Sequence, residues 1–318
     1  MLRLLRLIQR HLVISILLSM VFGFTIGLFF DTSILRNGVS ILTFLMVYPM
    51  MVTLNFNALL EKGNFRLQLI TQLVNFIYLP LLAYLFGILF FSDQLYLRLA
   101  ILLIALLPTS GMTVSWTVMA KGNVKEAIRM IVIGLLLGGF LTPFYISFFL
   151  GTAIDLPLFD IIYQIVLVVF IPMLLGFLTQ LFFKKRYGEN RFNRNIKPFF
   201  PKFSTFFVVI LIALVMSLRA EMLFNHPMML ARIILPVSLG YVVMVVSLHF
   251  LGKRLFNRED RIAFINGTMV RSLSLALAIA LSVFSEVGAE VALVIAIAYI
   301  VQVQLAAWYT KYNLKDST

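Results

Sequence analysis

The chain has 318 residues, 62% of them hydrophobic and 12% charged, with a formal net charge of +13. A soluble domain of this size carries roughly a quarter charged residues. A mean hydropathy of +1.03 therefore excludes an ordinary water-soluble fold. With no cysteine, disulfides and thiolate metal sites are excluded too.

Apolar runs predict membrane spans at 12–30, 39–60, 67–91, 97–119, 127–150, 158–183, 203–219, 228–251, 261–284 and 289–309. Each is near the roughly 20 residues that a helix needs to cross about 30 Å of hydrocarbon. The runs do not alternate apolar with polar, so a β-barrel is not expected. The N-terminal run begins after Arg3, Arg6 and Arg10 but continues to Phe30 without an Ala-x-Ala-type site, so it reads as a span rather than a signal peptide. No gap between spans is long enough for a soluble domain. The longest, 184–202, reads as a charged linker.

The basic residues segregate. Numbering the spans puts 21 of the 26 Lys and Arg on one side, in the clusters at 3–10, 62–66, 121–129, 184–202, 253–261 and 311–315. Arg36, Arg98 and Arg219 lie on the other, with Arg232 just inside span 8. This follows the positive-inside rule and places both termini in the cytoplasm. The charge is thus a topology signal whose partners are anionic lipid headgroups, not nucleic acid. The expected location is a bacterial-type inner membrane.

Ten spans split five and five, and an odd number per half inverts the second half against the first. The repeats would be about 1–155 and 156–318. Pro80 and Pro236 are both in the third span of their half. Span 4 is interrupted by Pro108-Thr109-Ser110-Gly111. Span 9 carries Asn266-Gly267-Thr268 and then Arg271-Ser272-Leu273-Ser274. Pro removes a backbone donor and Gly tolerates non-helical torsions, so both spans are expected to break. Paired breaks at matched positions mark a substrate site near the bilayer midplane. The site residues are Thr109, Ser110, Gly111, Thr113, Asn266, Arg271, Ser272 and Ser274.

Arg271 lies ten residues beyond Arg261, about 15 Å into its helix. An arginine there costs at least about 2.5–3.5 kcal/mol and faces protein or water. All 13 acidic residues lie in loops or near span ends, so no carboxylate reaches Arg271 at its depth. The second half-helices, starting near Gly111 and Ser272, add positive dipole ends. Together these features favour an anionic solute. Gln72, Asn75, Ser115, Thr117 and Gln302 are cation-binding candidates through neutral oxygens; helix–helix hydrogen bonding is the alternative for each. Gly23-x-x-x-Gly27 and Gly134-x-x-x-Gly138 read as packing notches. No Walker loop, nucleophile elbow or His/Glu metal cluster is present, so neither an enzyme nor a resident cofactor is expected.

The segment Pro108-Thr-Ser-Gly-Met112-Thr-Val-Ser-Trp116-Thr-Val-Met-Ala120-Lys-Gly-Asn123 resembles the broken fourth helix and following turn of the bile acid–sodium symporter superfamily. Met46-Val47-Tyr48-Pro49-Met50, Asn75 with Pro80, Met112 and Trp116 resemble its arsenical-resistance branch, and Arg271-Ser-Leu-Ser-Leu-Ala-Leu-Ala-Ile-Ala280 is similar to that branch's ninth helix. The resemblance implies an all-α polytopic membrane protein with ten helices in two inverted five-helix repeats. Helices 3–5 and 8–10 would form a core, and helices 1, 2, 6 and 7 a panel, with transport by alternating access. It departs from this pattern in two places. Arsenite carriers have a Cys where Thr109 stands and a Glu near Ser274. Bile-acid members bind sodium with a Ser-Asn pair near Thr113-Val114 and a ninth-helix Glu. The guanidinium of Arg271 is therefore expected to replace a bound cation, which makes transport insensitive to sodium. The reading is a carrier of a small organic anion. Metalloid oxyanion efflux is the alternative, and a membrane sensor or channel is the alternative of another class.

Overall fold

The computed structural model describes residues 5, 7–8, 11–59, 61–150, 158–225, 228–284 and 287–315. These residues are almost entirely helical, and no strand occurs among them. The helices are α1 (Leu12–Phe29), α2 (Val39–Val52), α3 (Phe65–Phe91), α4 (Leu95–Leu106), α5 (Met112–Met119), α6 (Val124–Leu150), α7 (Leu158–Tyr187), α8 (Phe200–Leu218), α9 (Met228–Leu255), α10 (Arg258–Met269), α11 (Leu273–Val283) and α12 (Gly288–Lys315). Among the described residues, eight helical stretches are long and apolar enough to cross a membrane, counting α10 with α11 as one. The other two expected spans are shorter. Span 39–60 ends as a regular helix at Val52, and span 97–119 is split into α4 and α5.

The chain forms two compact units. The first comprises the described parts of Met1–Leu54, Phe159–Ala231 and Ser274–Ala296. Within it α8 packs along α1 and α2, and α7 packs on α2. Contact between α1 and α8 depends on the first glycine pair. A Cβ on Gly23 would lie 2.0 Å from the Ala213 carbonyl oxygen, and one on Gly27 would lie 2.1 Å from that of Ser217. The end of α2 is fixed from α7, where Gln180 donates from Nε2 to the carbonyls of Val52 (3.1 Å) and Leu54 (2.8 Å). A helix end buried in a membrane protein needs such partners for its orphan carbonyls. The 184–202 segment is not an irregular linker. It continues α7 through short helical turns into α8.

The second unit comprises Asn55–Leu158, Arg232–Leu273 and Ile297–Thr318, again by their described residues. Asn64 caps α3, its Oδ1 accepting from Leu67 N at 3.1 Å. Midway, α3 widens into a π turn at Val74–Tyr78 just before Pro80. Proline leaves the carbonyl four residues back without its helical donor. Here that carbonyl belongs to Phe76 and accepts from the Tyr145 hydroxyl of α6. The second glycine pair, Gly134 and Gly138 on α6, receives Pro108: added Cβ atoms would meet the proline ring at 3.2 and 3.0 Å.

Candidate functional site

The interruptions between α4 and α5 and between α10 and α11 meet inside the second unit. Leu107 and Val270 leave helical torsions for φ −104°, ψ 82° and φ −84°, ψ 88°. Their carbonyls accept from the opposite break: Ser272 N donates to Leu107 O and Ser110 N to Val270 O, each at 2.9 Å. Two short extended segments therefore pair like a fragment of sheet. This satisfies backbone groups that lipid cannot. Thr109 takes φ +57°, an uncommon region for a β-branched residue. Its hydroxyl donates to Gly267 O at 2.8 Å, so it faces protein.

Arg271 is 1% exposed. Its Nε donates to Ile104 O (3.2 Å), and its Nη1 donates to Asn75 Oδ1 (2.6 Å) and Thr268 O (3.0 Å). Its Nη2 donates to Ala105 O. In this arrangement the protein meets four of the guanidinium's five N–H groups, leaving little for a ligand to contact directly. Gln302 splints the main chain at the same point. Its Oε1 accepts from Arg271 N (2.8 Å) and the Tyr241 hydroxyl (3.0 Å), and its Nε2 donates to Arg271 O (3.2 Å). Asn75 and Gln302, read from the sequence as cation-binding candidates, thus bond to Arg271 itself. An apolar cavity of about 70 Å³, lined by Leu79, Phe86, Ile101, Pro236, Tyr241 and Arg271 among others, adjoins this network.

The charge balance at the break follows from the helix ends. Ile104, Ala105 and Thr268 lie in the last turns of α4 and α10, whose C-termini carry partial negative charge. The N-termini of α5 and α11 follow after five and three intervening residues and carry the opposite partial charge. These dipole ends offset one another. Among the described residues no carboxylate bonds to the guanidinium, so its unit charge remains as the local excess.

The helix α5 has two faces. Thr113 and Thr117 are buried and turn to α10, where Thr113 Oγ1 donates to Asn266 O (3.4 Å) and Asn266 Nδ2 donates to Thr117 Oγ1 (3.3 Å). Gly111 and Ser115 are exposed, one turn apart. Ser110 is 7% exposed, and its Oγ accepts from Met112 N at 3.4 Å. Asn266 Oδ1, Ser272 Oγ and both amide atoms of Gln72 are buried without a hydrogen-bond partner. Ser274 is half-buried in the first turn of α11.

A second polar cluster lies at the basic ends of the helices, and the sequence reading missed it. Glu126 and Arg129 on α6 form an ion pair at 2.6 Å, both side chains 4% exposed. Arg129 also donates from Nε to Ala58 O (2.8 Å) and from Nη2 to Lys62 O (2.6 Å). Glu126 accepts from Asn64 N (3.0 Å) and Gln68 Nε2 (2.7 Å). Nearby, Asp260 on α10 accepts from Asn123 Nδ2 (2.7 Å) and Asn64 Nδ2 (3.1 Å). From the sequence alone Arg129 reads as one more topology charge. An acid and a base at i, i+3 on the first turns of an apolar helix were the available signal.

The model of the Sodium Bile acid symporter family matches residues 40–226, more than half of the chain. A further similarity is to Arsenical-resistance protein Acr3 of Alkaliphilus metalliredigens (strain QYMF), 23% identical over 218 residues, which cover 63% of this chain. The chain spans 60% of that relative's length. Helices of membrane-crossing length, two mutually bonded breaks and the family match lead to one conclusion: this is a multi-pass membrane protein, and the chain belongs to the Sodium Bile acid symporter family.

Proposed function

We propose that the chain is a secondary carrier that moves a small organic anion by alternating access. Ten crossings in two inverted halves, with both termini cytoplasmic, complete the reading. In the numbering of the ten spans, spans 3–5 and 8–10 form its core, and spans 1, 2, 6 and 7 its panel. The carrying observation is the guanidinium of Arg271, fully buried, held by neutral oxygens and matched by no carboxylate among the described residues. Its hydrogen bonds are met, but its charge is not neutralised. A unit charge about 8 Å away, at an effective dielectric near 20, is worth about 2 kcal/mol to an anion. Arg271 therefore acts mainly through its field, and the exposed face of α5 at Gly111 and Ser115 supplies direct contacts.

The same arrangement supports transport without sodium. Three backbone carbonyls and an amide oxygen already surround a cation tethered to the chain. The test is a thermal-shift screen of purified protein against anionic metabolites, with and without sodium. The expected result is stabilisation by one class of anion, unchanged by sodium and lost in Asn75→Asp, which sets a carboxylate against Arg271. A steep sodium dependence, or equal anion binding by Asn75→Asp, would overturn the reading.

The likeness to an arsenical-resistance protein favours a second reading, efflux of arsenite or another metalloid oxyanion. Against it, the chain has no cysteine to supply a thiolate, and the hydroxyl of Thr109 is taken by Gly267 O. Protection of an arsenite-sensitive strain by expression of this chain would favour efflux over the anion reading.

A further inference from the structure

The basic residues are not equivalent once the chain is folded. Arg129 is buried in an ion pair, Lys125 pairs with Glu61 at 3.0 Å, and Arg258 donates to Asn313 O at 2.8 Å. The segment 184–202 is different. It holds Lys184, Lys185, Arg186, Arg191, Arg194, Lys197 and Lys202 against one acid, Glu189, which pairs with Lys184 at 2.8 Å.

This segment has a fixed shape. At the end of α7, Gly188 takes φ +80°, a torsion that glycine adopts without strain. Short helical turns follow from Glu189 to Phe199. Phe192, 0% exposed, stacks on Phe183 of α7 with ring centroids 6.2 Å apart and pins the elbow. Lys185, Arg186, Arg191 and Arg194 remain exposed around it. Arg191 lies over the Tyr187 ring at 5.6 Å, and Lys202 over the Phe199 ring at 5.0 Å. The last turns of α7 below the cations expose Leu178, Leu181 and Phe182. Because α7 and α8 are both of membrane-crossing length, the elbow joining them sits at the headgroup level.

We infer that this elbow is a binding surface for an anionic phospholipid. Its phosphate is met by Lys185, Arg186 and Arg194, and its acyl chains lie along Leu178, Leu181 and Phe182. The charge excess suits the headgroup, and the apolar side chains directly beneath suit a lipid rather than a soluble phosphate.

The test uses the full chain in phosphatidylcholine nanodiscs titrated with phosphatidylglycerol, read by melting temperature. Glycerol 3-phosphate added to the buffer serves as the soluble arm. Each cation near an anionic surface is worth about fivefold in affinity, so Lys185→Gln/Arg186→Gln/Arg194→Gln should raise the half-saturating lipid fraction at least about tenfold. The control Lys121→Gln/Lys253→Gln/Arg254→Gln removes three exposed charges elsewhere and should titrate like wild type. If the triple variant melts abnormally in phosphatidylcholine alone, Lys185→Gln/Arg186→Gln replaces it, with a smaller shift in the same direction. Equal losses in elbow and control variants, an unchanged titration, or saturation by glycerol 3-phosphate alone would overturn the proposal.

Discussion

Arg129, on α6, and Arg271, at the break between α10 and α11, are both buried arginines of the second unit, and their surroundings differ in one respect. Arg129 has two carbonyl acceptors and a carboxylate, Glu126, at 2.6 Å. Arg271 has three carbonyls and an amide oxygen. Both are well hydrogen-bonded, but only one is neutralised. The first arrangement ties Ala58, Lys62 and Asn64 to α6 and leaves no net charge behind. The second holds a break in place and leaves a positive field beside it. Hydrogen-bond satisfaction and charge compensation are separate requirements, and this protein meets them separately.

The comparison breaks most sharply if the clamp loses its acid. Glu126→Leu leaves Arg129 buried and unpaired and should cost about 3–5 kcal/mol in denaturant unfolding in detergent. Arg271→Ala comes next. It frees Asn75 Oδ1 and the carbonyls of Ile104, Ala105 and Thr268; water entering the vacated space meets most of them, and one acceptor left dry sets the expected cost at about 1–3 kcal/mol. Methylguanidinium should restore part of its melting temperature, and sodium should not. Rescue by sodium as strong as by methylguanidinium would show that the oxygens form an ordinary cation site.

Asn75→Asp sharpens the comparison by making the break resemble the clamp. Wild-type or higher melting temperature with about 30-fold weaker anion binding is expected, from about 2 kcal/mol of lost attraction. The smallest effect should come from Thr109→Val, which removes one hydrogen bond to Gly267 O and should cost about 1 kcal/mol.

Long apolar runs and the two interruptions were legible because membrane-crossing length and Pro108 or Gly111 leave a direct mark on sequence. So was the burial of Arg271. Its partners were not, since backbone carbonyls have no sequence signature and Asn75 arrives from 196 residues away. Glu126 is visible in the sequence as an acid just outside a span end, because helix α6 begins earlier than its apolar run. The elbow at 184–202 looked like a linker because its order comes from Phe192 packing on Phe183 rather than from local propensity.

The seating of Pro108 between Gly134 and Gly138 reverses a familiar expectation. Replacing glycine by alanine in a helix interior ordinarily gains about 1 kcal/mol from backbone propensity. At these two positions the new methyl would press on the proline ring at 3.2 and 3.0 Å, and on Thr109 Oγ1 and Leu106 O, each at 3.2 Å. A scan of alanine substitutions along α6 should therefore show an inverted sign at 134 and 138. The helix is itself locally suboptimal there, so that a bend in its neighbour has somewhere to rest.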